Sequence, residues 1–161
     1  MKVAIIMGSD SDWSVMKTAV DMLKNFGVGV DVTIASAHRT PKKVRDFVTG
    51  SDAKIFIAAA GMAAHLAGVV ASYTTRPVIG VPINSEPFKG LDALLSTVQM
   101  PGGVPVATMA VNGAKNAALF AMEILALQDD DLAKKLIFYR EKMSAEVDVK
   151  DQKLKELLHG D

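Results

Sequence analysis

The chemistry this 161-residue sequence can offer is concentrated in two short runs. The run Ser36-Ala37-His38-Arg39-Thr40-Pro41 sets an imidazole beside a guanidinium. Imidazole changes charge near neutral pH and is the side chain most used to give and take protons. Guanidinium is a permanent cation whose forked N–H groups suit phosphate oxygens better than a lysine does. Their position, where an apolar run ends and a helical pattern begins, favours a functional reading of His38 over a histidine merely bonded to a turn. Arg39 reads as an anion-binding group or as a surface cation. The earlier run Gly8-Ser9-Asp10-Ser11-Asp12-Trp13 adds two hydroxyls, two carboxylates and backbone N–H groups at a helix start, which suits phosphate or sugar hydroxyls. Its spacing is neither that of a P-loop nor that of a dinucleotide fingerprint. A simple capped turn accounts for it as well as a ligand loop does.

Other reactive side chains carry less. His65 lies four residues into an apolar segment and reads by position as a packed core or interface histidine. His159, in a charged tail, reads as solvated. Three scattered histidines without a local carboxylate pair do not make a metal site, and Asp10 with Asp12 falls short of a hard-cation cage. The sequence has no cysteine, which removes disulfides, thiolate metal sites and cysteine nucleophiles together. The nine methionines read as core filler. Pro101-Gly102-Gly103 reads as a mobile lid or as a tight connection.

The elements that position these groups follow from hydrophobic pattern. Strands are expected at 2–7, 28–35, 53–60, 77–82 and 104–111, the first and third apolar on both faces, as the middle of a parallel sheet requires. Helices are expected between them. The first presents Val15, Met16, Ala19, Val20, Leu23 and Phe26 at helical spacing and stops at Gly27. The second has Thr40 as N-cap and Pro41 in its first turn. The third runs 62–73 and carries His65, the fourth runs 90–99 with Leu91, Leu94, Leu95 and Val98 inward, and the fifth runs 112–127. Asp129-Asp130-Asp131 opens a long last helix with a stripe of Leu132, Leu136, Tyr139, Met143 and Val147.

Strands alternating with helices imply an α/β fold: a three-layer, flavodoxin-like sandwich around a five-stranded parallel sheet of order 2-1-3-4-5. A single domain is expected, with an α/β core over 1–127 and a C-terminal helical extension over 128–161. The final helix is left with an apolar stripe to cover, and a second subunit is the simplest cover. In that topology the loops after strands one, two and three share one edge, so 8–13, 36–41 and 61–65 converge at the switch point. The 18 basic and 18 acidic residues cancel, so no overall field points to nucleic acid or an anionic membrane. No signal peptide is expected, apolar stretches fall short of a membrane helix, and the default location is cytoplasmic.

With those runs assembled, the chain resembles a known family. Met7-Gly8-Ser9-Asp10-Ser11-Asp12-Trp13, Ser36-Ala37-His38-Arg39-Thr40-Pro41, Ala63-Ala64-His65-Leu66, Gly90-Leu91-Asp92-Ala93-Leu94-Leu95-Ser96 and the run from Val98 to Thr108 stand in matching order. They resemble the catalytic subunit of phosphoribosylaminoimidazole carboxylase of purine biosynthesis, and within it the bacterial class that acts as a mutase of N5-carboxyaminoimidazole ribonucleotide. The likeness extends to about Leu127. It implies a cofactor-free and metal-free isomerisation in which the carboxylate on N5 leaves as CO2 and returns to ring carbon C4. It assigns His38 as general acid and base, Ser11 and Arg39 to phosphate, Asp12 to ribose hydroxyls and Ser9 to the region of the base. Ala60 and Gly61 would line the heterocycle, and His65 joins the substrate-binding set. It also implies a homo-octamer and a functional link to the ATP-dependent synthase of the N5-carboxylated substrate.

Two positions depart from the usual family pattern Gly-Gly-Ala-Ala-His-Leu-Pro-Gly: Met62 replaces the second glycine and Ala67 the proline. The segment between Pro41 and Ala58 also looks shorter than usual. Three rival readings follow: direct carboxylation of aminoimidazole ribonucleotide by CO2, a non-catalytic flavin- or nucleotide-binding module, and a structural assembly protein. The animal-type branch that carboxylates directly has Lys after the histidine, so Arg39 argues against it.

Overall fold

The computed structural model describes residues 1–159, with only the backbone at His159, so the reading of that side chain as solvated lies outside the described residues. The chain divides into two compact units, Met1–Ile124 and Leu125–Asp161. The first holds one parallel sheet in the order β2-β1-β3-β4-β5. Its strands are β1 (Lys2–Met7), β2 (Gly29–Ile34), β3 (Ile55–Gly61), β4 (Val78–Ile83) and β5 (Ala107–Thr108). Between them run α1 (Trp13–Asn25), α2 (Pro41–Gly50), α3 (Leu66–Ser72) and α4 (Leu91–Val98); α5 (Ala114–Ala126) follows β5. The expected fold class and strand order are those observed.

The central strands are buried on both faces, which is why they read as continuous apolar runs. Ala4, Ile6, Phe56 and Ala58 join Val44 and Val48 of α2 and Leu66 and Val70 of α3 in one core cluster. The alternate residues Val3, Ile5, Ile55 and Ile57 point to the other face and are as fully buried. At the sheet's edge, β2 leaves Val32 and Ile34 exposed. Close approach is bought by small residues: a Cβ on Gly80 of β4 would come within 2.4 Å of Thr97 in α4 and 3.3 Å of Ala67 in α3.

Three expectations are corrected. The third helix starts at Leu66, not Met62, because Met62 takes a left-handed φ of 55° that no α-helix continues through. The fifth strand shrinks to two residues: Pro105 has no N–H for a ladder, and the chain turns with Val104 N–H to the Pro101 carbonyl at 3.3 Å. In α4 the buried positions are Ala93 and Thr97, while Leu91, Leu95 and Val98 are about half exposed. Thr97 goes inward because its hydroxyl bonds the Ala93 carbonyl at 2.7 Å and reaches the Ala64 carbonyl at 3.4 Å. Pro101, Gly102 and Gly103 form a turn that does not line the cleft described below.

The second unit contains α6 (Asp130–His159). Asp129 starts it, its Oδ1 accepting the Leu132 N–H at 2.9 Å, as a side-chain N-cap does. Among the described residues no helix is long and apolar enough to cross a membrane.

Candidate active site

The carboxyl ends of the strands open into a cleft of about 740 Å³. Its walls come from the loops after β1, β2 and β3, as expected, and also from residues following β4 and β5.

The loop after β1 is a 3-10 turn, Asp10–Asp12, closed by its own side chains. Ser9 Oγ accepts from the Ser11 N–H at 3.4 Å, and Asp10 Oδ1 accepts the same N–H at 3.0 Å. Asp12 Oδ2 accepts the Ser9 N–H at 3.1 Å. The capped turn is therefore real, and it also faces the cleft with Ser9, Ser11 and Asp12. Asp12 is only 5% exposed, and burial pushes its carboxyl above the usual carboxylate range against the pull of the Ser9 N–H and the Ser11 hydroxyl.

The loop after β2 is braced by hydroxyls. Thr40 does not cap α2 through its side chain; its Oγ1 accepts the Ser36 N–H at 2.9 Å and donates to the Ser36 carbonyl at 3.2 Å. Ser36 Oγ in turn accepts the Arg39 N–H at 3.3 Å. This small ring of bonds holds the Ala37-His38-Arg39 turn rigid, and Pro41 follows at the start of α2 as its fixed φ allows. Arg39 Nη2 donates to the Gly8 carbonyl at 3.1 Å, fastening the second loop to the first. One guanidinium corner is spent on that bond, and the exposed fork keeps the geometry of an anion clamp.

The third loop supplies a contact that sequence reasoning missed. His65 is not packed in a core: it is exposed, stands at the N-cap of α3, and its Nδ1 lies 2.9 Å from His38 Nε2. The rings meet edge to face, at 82° and 5.0 Å between centroids. One of those two nitrogens must carry the proton and the other the lone pair, so each ring's tautomer depends on the other. Ala60 and Gly61 line the floor, where a Cβ on Gly61 would sit 3.3 Å from the Ile83 carbonyl. The expected residues Ser9, Ser11, Asp12, His38, Arg39, Ala60, Gly61 and His65 thus share one cleft.

Asn84, Ser85 and Asn112 also line it and were not anticipated. Asn112, at φ 57°, takes the Asn84 N–H on its Oδ1 at 2.9 Å, and Ser85 Oγ accepts the Met62 N–H at 3.2 Å. The signal was present: Asn84 and Ser85 directly follow the fourth strand, so the strand-end argument applied to the first three loops reaches them too. Among the described residues no group of three or more histidine, aspartate or glutamate side chains is placed to hold a metal ion.

Known proteins resemble this chain in sequence and in fold. The family model described as AIR carboxylase matches residues 2–146. The N5-carboxyaminoimidazole ribonucleotide mutase of Methanocaldococcus jannaschii is 57% identical, over 96% of this chain and 98% of its own. The protein of the same name from Thermotoga maritima is 49% identical, over 97% of this chain and 93% of its own. The crystal structure of Treponema denticola PurE matches with a TM-score of 0.87 at 33% identity, over 96% of this chain and 98% of that one.

Proposed function

The chain belongs to the AIR carboxylase family, and on that premise we propose that it is an isomerase of purine biosynthesis. It converts N5-carboxyaminoimidazole ribonucleotide to 4-carboxy-5-aminoimidazole ribonucleotide, the activity its mutase relatives are named for. The observation that carries the reading is the convergence of His38, Arg39 and the Ser9–Asp12 turn on a single cleft.

The residues divide the work by chemistry. The cationic Arg39 fork and the Ser11 hydroxyl suit the phosphate. Asp12, an acceptor held in place by the Ser9 N–H, suits ribose hydroxyls. Ser9 lies toward the base, and the backbone at Ala60 and Gly61 lines the heterocycle. His38 gives a proton to N5 as the C–N bond breaks and CO2 leaves. Carbon C4 then bonds to CO2, and His38 takes the proton that C4 sheds. The proton returns to its starting point, so one imidazole serves both steps. His65, its Nδ1 2.9 Å from His38 Nε2, couples the tautomer of the proton-carrying imidazole to its own.

Assembly as a homo-octamer in the cytoplasm, downstream of the ATP-dependent synthase of the N5-carboxylated substrate, belongs to the same proposal. Exposed apolar faces on α4 (Leu91, Leu95, Val98) and on α6 (Phe138, Val147, Leu154) support the oligomer.

The test is turnover of purified protein with N5-carboxyaminoimidazole ribonucleotide, without ATP, against aminoimidazole ribonucleotide plus bicarbonate. Conversion of the first, abolished in His38→Asn with folding intact by circular dichroism, is expected. Conversion of the second substrate alone reverses the assignment, and near-normal turnover in His38→Asn removes His38 from its role.

A further inference from the structure

We propose that the Met62 side chain is a flap that closes the cleft, keeping released CO2 in and water out; the proposal rests on the mutase reading above. Met62 follows β3 directly, holds φ at 55° and lines the cleft. That left-handed conformation is one glycine adopts freely and side-chain-bearing residues adopt at a cost. Strain of this kind persists at functional sites when the surroundings enforce it. Here the surroundings enforce the backbone and not the side chain. The Met62 N–H is held by Ser85 Oγ at 3.2 Å, a bond that a glycine would make equally well. The side chain is no part of the core: Met62 is 63% exposed. Neither core packing nor backbone bonding therefore accounts for a methionine at this position.

What methionine adds is a long, unbranched, apolar arm with three rotatable bonds, standing at the margin of the cleft. Its base is tied to Ser85 on one side, and three residues on, His65 is bonded to His38. The reaction supplies the need for such an arm. Once the C–N bond has broken, with its electron pair on N5 and the His38 proton delivered there, CO2 is small and uncharged. No cation or hydrogen-bond donor grips it strongly, so only walls retain it until C4 attacks. A polar arm would carry water into the cleft, whereas an apolar one displaces it when it folds over the bound nucleotide.

The test uses the full-length protein and substrate carrying 13C in its N5-carboxyl group, in unlabelled bicarbonate buffer, against a blank without protein. The unsubstituted protein is expected to deliver most of the label to C4. Met62→Gly is expected to lose label and release free aminoimidazole ribonucleotide several-fold more often per turnover, and Met62→Leu to restore retention. Equal retention in Met62→Gly and the unsubstituted protein overturns the flap, as does equal leakage in the Leu and Gly variants. A lower melting temperature for Met62→Gly also overturns it, since the side chain would then serve the fold. Failure of the unsubstituted protein to move any label to C4 sinks the mutase reading itself, a result separate from a leak.

Discussion

Asp12 is nearly buried at the start of α1 and holds the Ser9 N–H, and burial still keeps its carboxyl above the usual carboxylate range. The sign follows directly: a raised folded-state pKa means stability that is full below the ordinary aspartate range and declines as pH rises through the folded value. Asp12→Asn removes that decline while an amide oxygen can still accept from Ser9. The variant is therefore expected to be at least as stable as the parent at pH 7, with its relative stability growing from pH 3 to pH 7. Its affinity for the ribonucleotide product is expected to fall about tenfold or more, as loss of a charge-assisted bond implies. Urea denaturation across pH and calorimetric titration check the two halves; a variant that is less stable at pH 7 contradicts the first. The residues of the cleft were legible to the extent that their chemistry is uncommon and their place is a strand end, as with His38, Arg39 and Ser9 to Asp12. The core reading of His65 failed because its place depends on where α3 begins, and a left-handed Met62 leaves no mark in a hydrophobic pattern. Asn84, Ser85 and Asn112 are ordinary loop residues in sequence and become part of the site only through the order of the strands.

The elements themselves were readable where burial dictates composition, so the strands buried on both faces, β1, β3 and β4, stood within a residue or two of their expected places. The reading failed where a single contact outweighs the pattern. In α4 four apolar residues suggest an inward stripe, yet the bonds of Thr97 to Ala93 and Ala64 and the closeness of Gly80 turn Thr97 to the sheet. Arg76 is a similar case, a cation with no obvious task in sequence. Its Nη1 donates to the Ser51 carbonyl at 2.8 Å and the Ala53 carbonyl at 2.5 Å, and its guanidinium lies 5.1 Å from the centre of the Phe56 ring. It thereby locks the connection between α2 and β3 to the segment entering β4. Removing it strands two carbonyls and loses the ring contact, so Arg76→Ala is expected to destabilise the fold by about 2–3 kcal/mol. Arg76→Lys is expected to recover less than half, because an ammonium cannot reproduce the planar fork. Chemical denaturation measures both, and a loss below about 0.5 kcal/mol for Arg76→Ala, the range of an ordinary surface change, rejects this role.

At the scale of the molecule, the fold leaves apolar surface exposed on two of its helices. Leu91, Leu95 and Val98 lie on one side of α4, and α6 exposes Ile137, Phe138, Val147 and Leu154 along its length. Single exposed leucines are common on any surface, but Leu91, Leu95 and Val98 form a row at helical spacing, the kind of surface the proposed assembly would cover. The proposed octamer makes a quantitative demand on that row. If it is buried between copies, a charge there must be desolvated at every repeat of the contact, at a cost of several kcal/mol each. In a monomer the same charge stands in water at almost no cost. Leu95, about half exposed and outside the cleft, is the position that separates the two cases. Leu95→Glu is expected to shift the particle mass measured by light scattering from a multiple of the 17.1 kDa chain toward smaller species, with the helical signal preserved. An unchanged mass in that variant removes α4 from the assembly surface, and a single-chain mass for the unsubstituted protein removes the assembly.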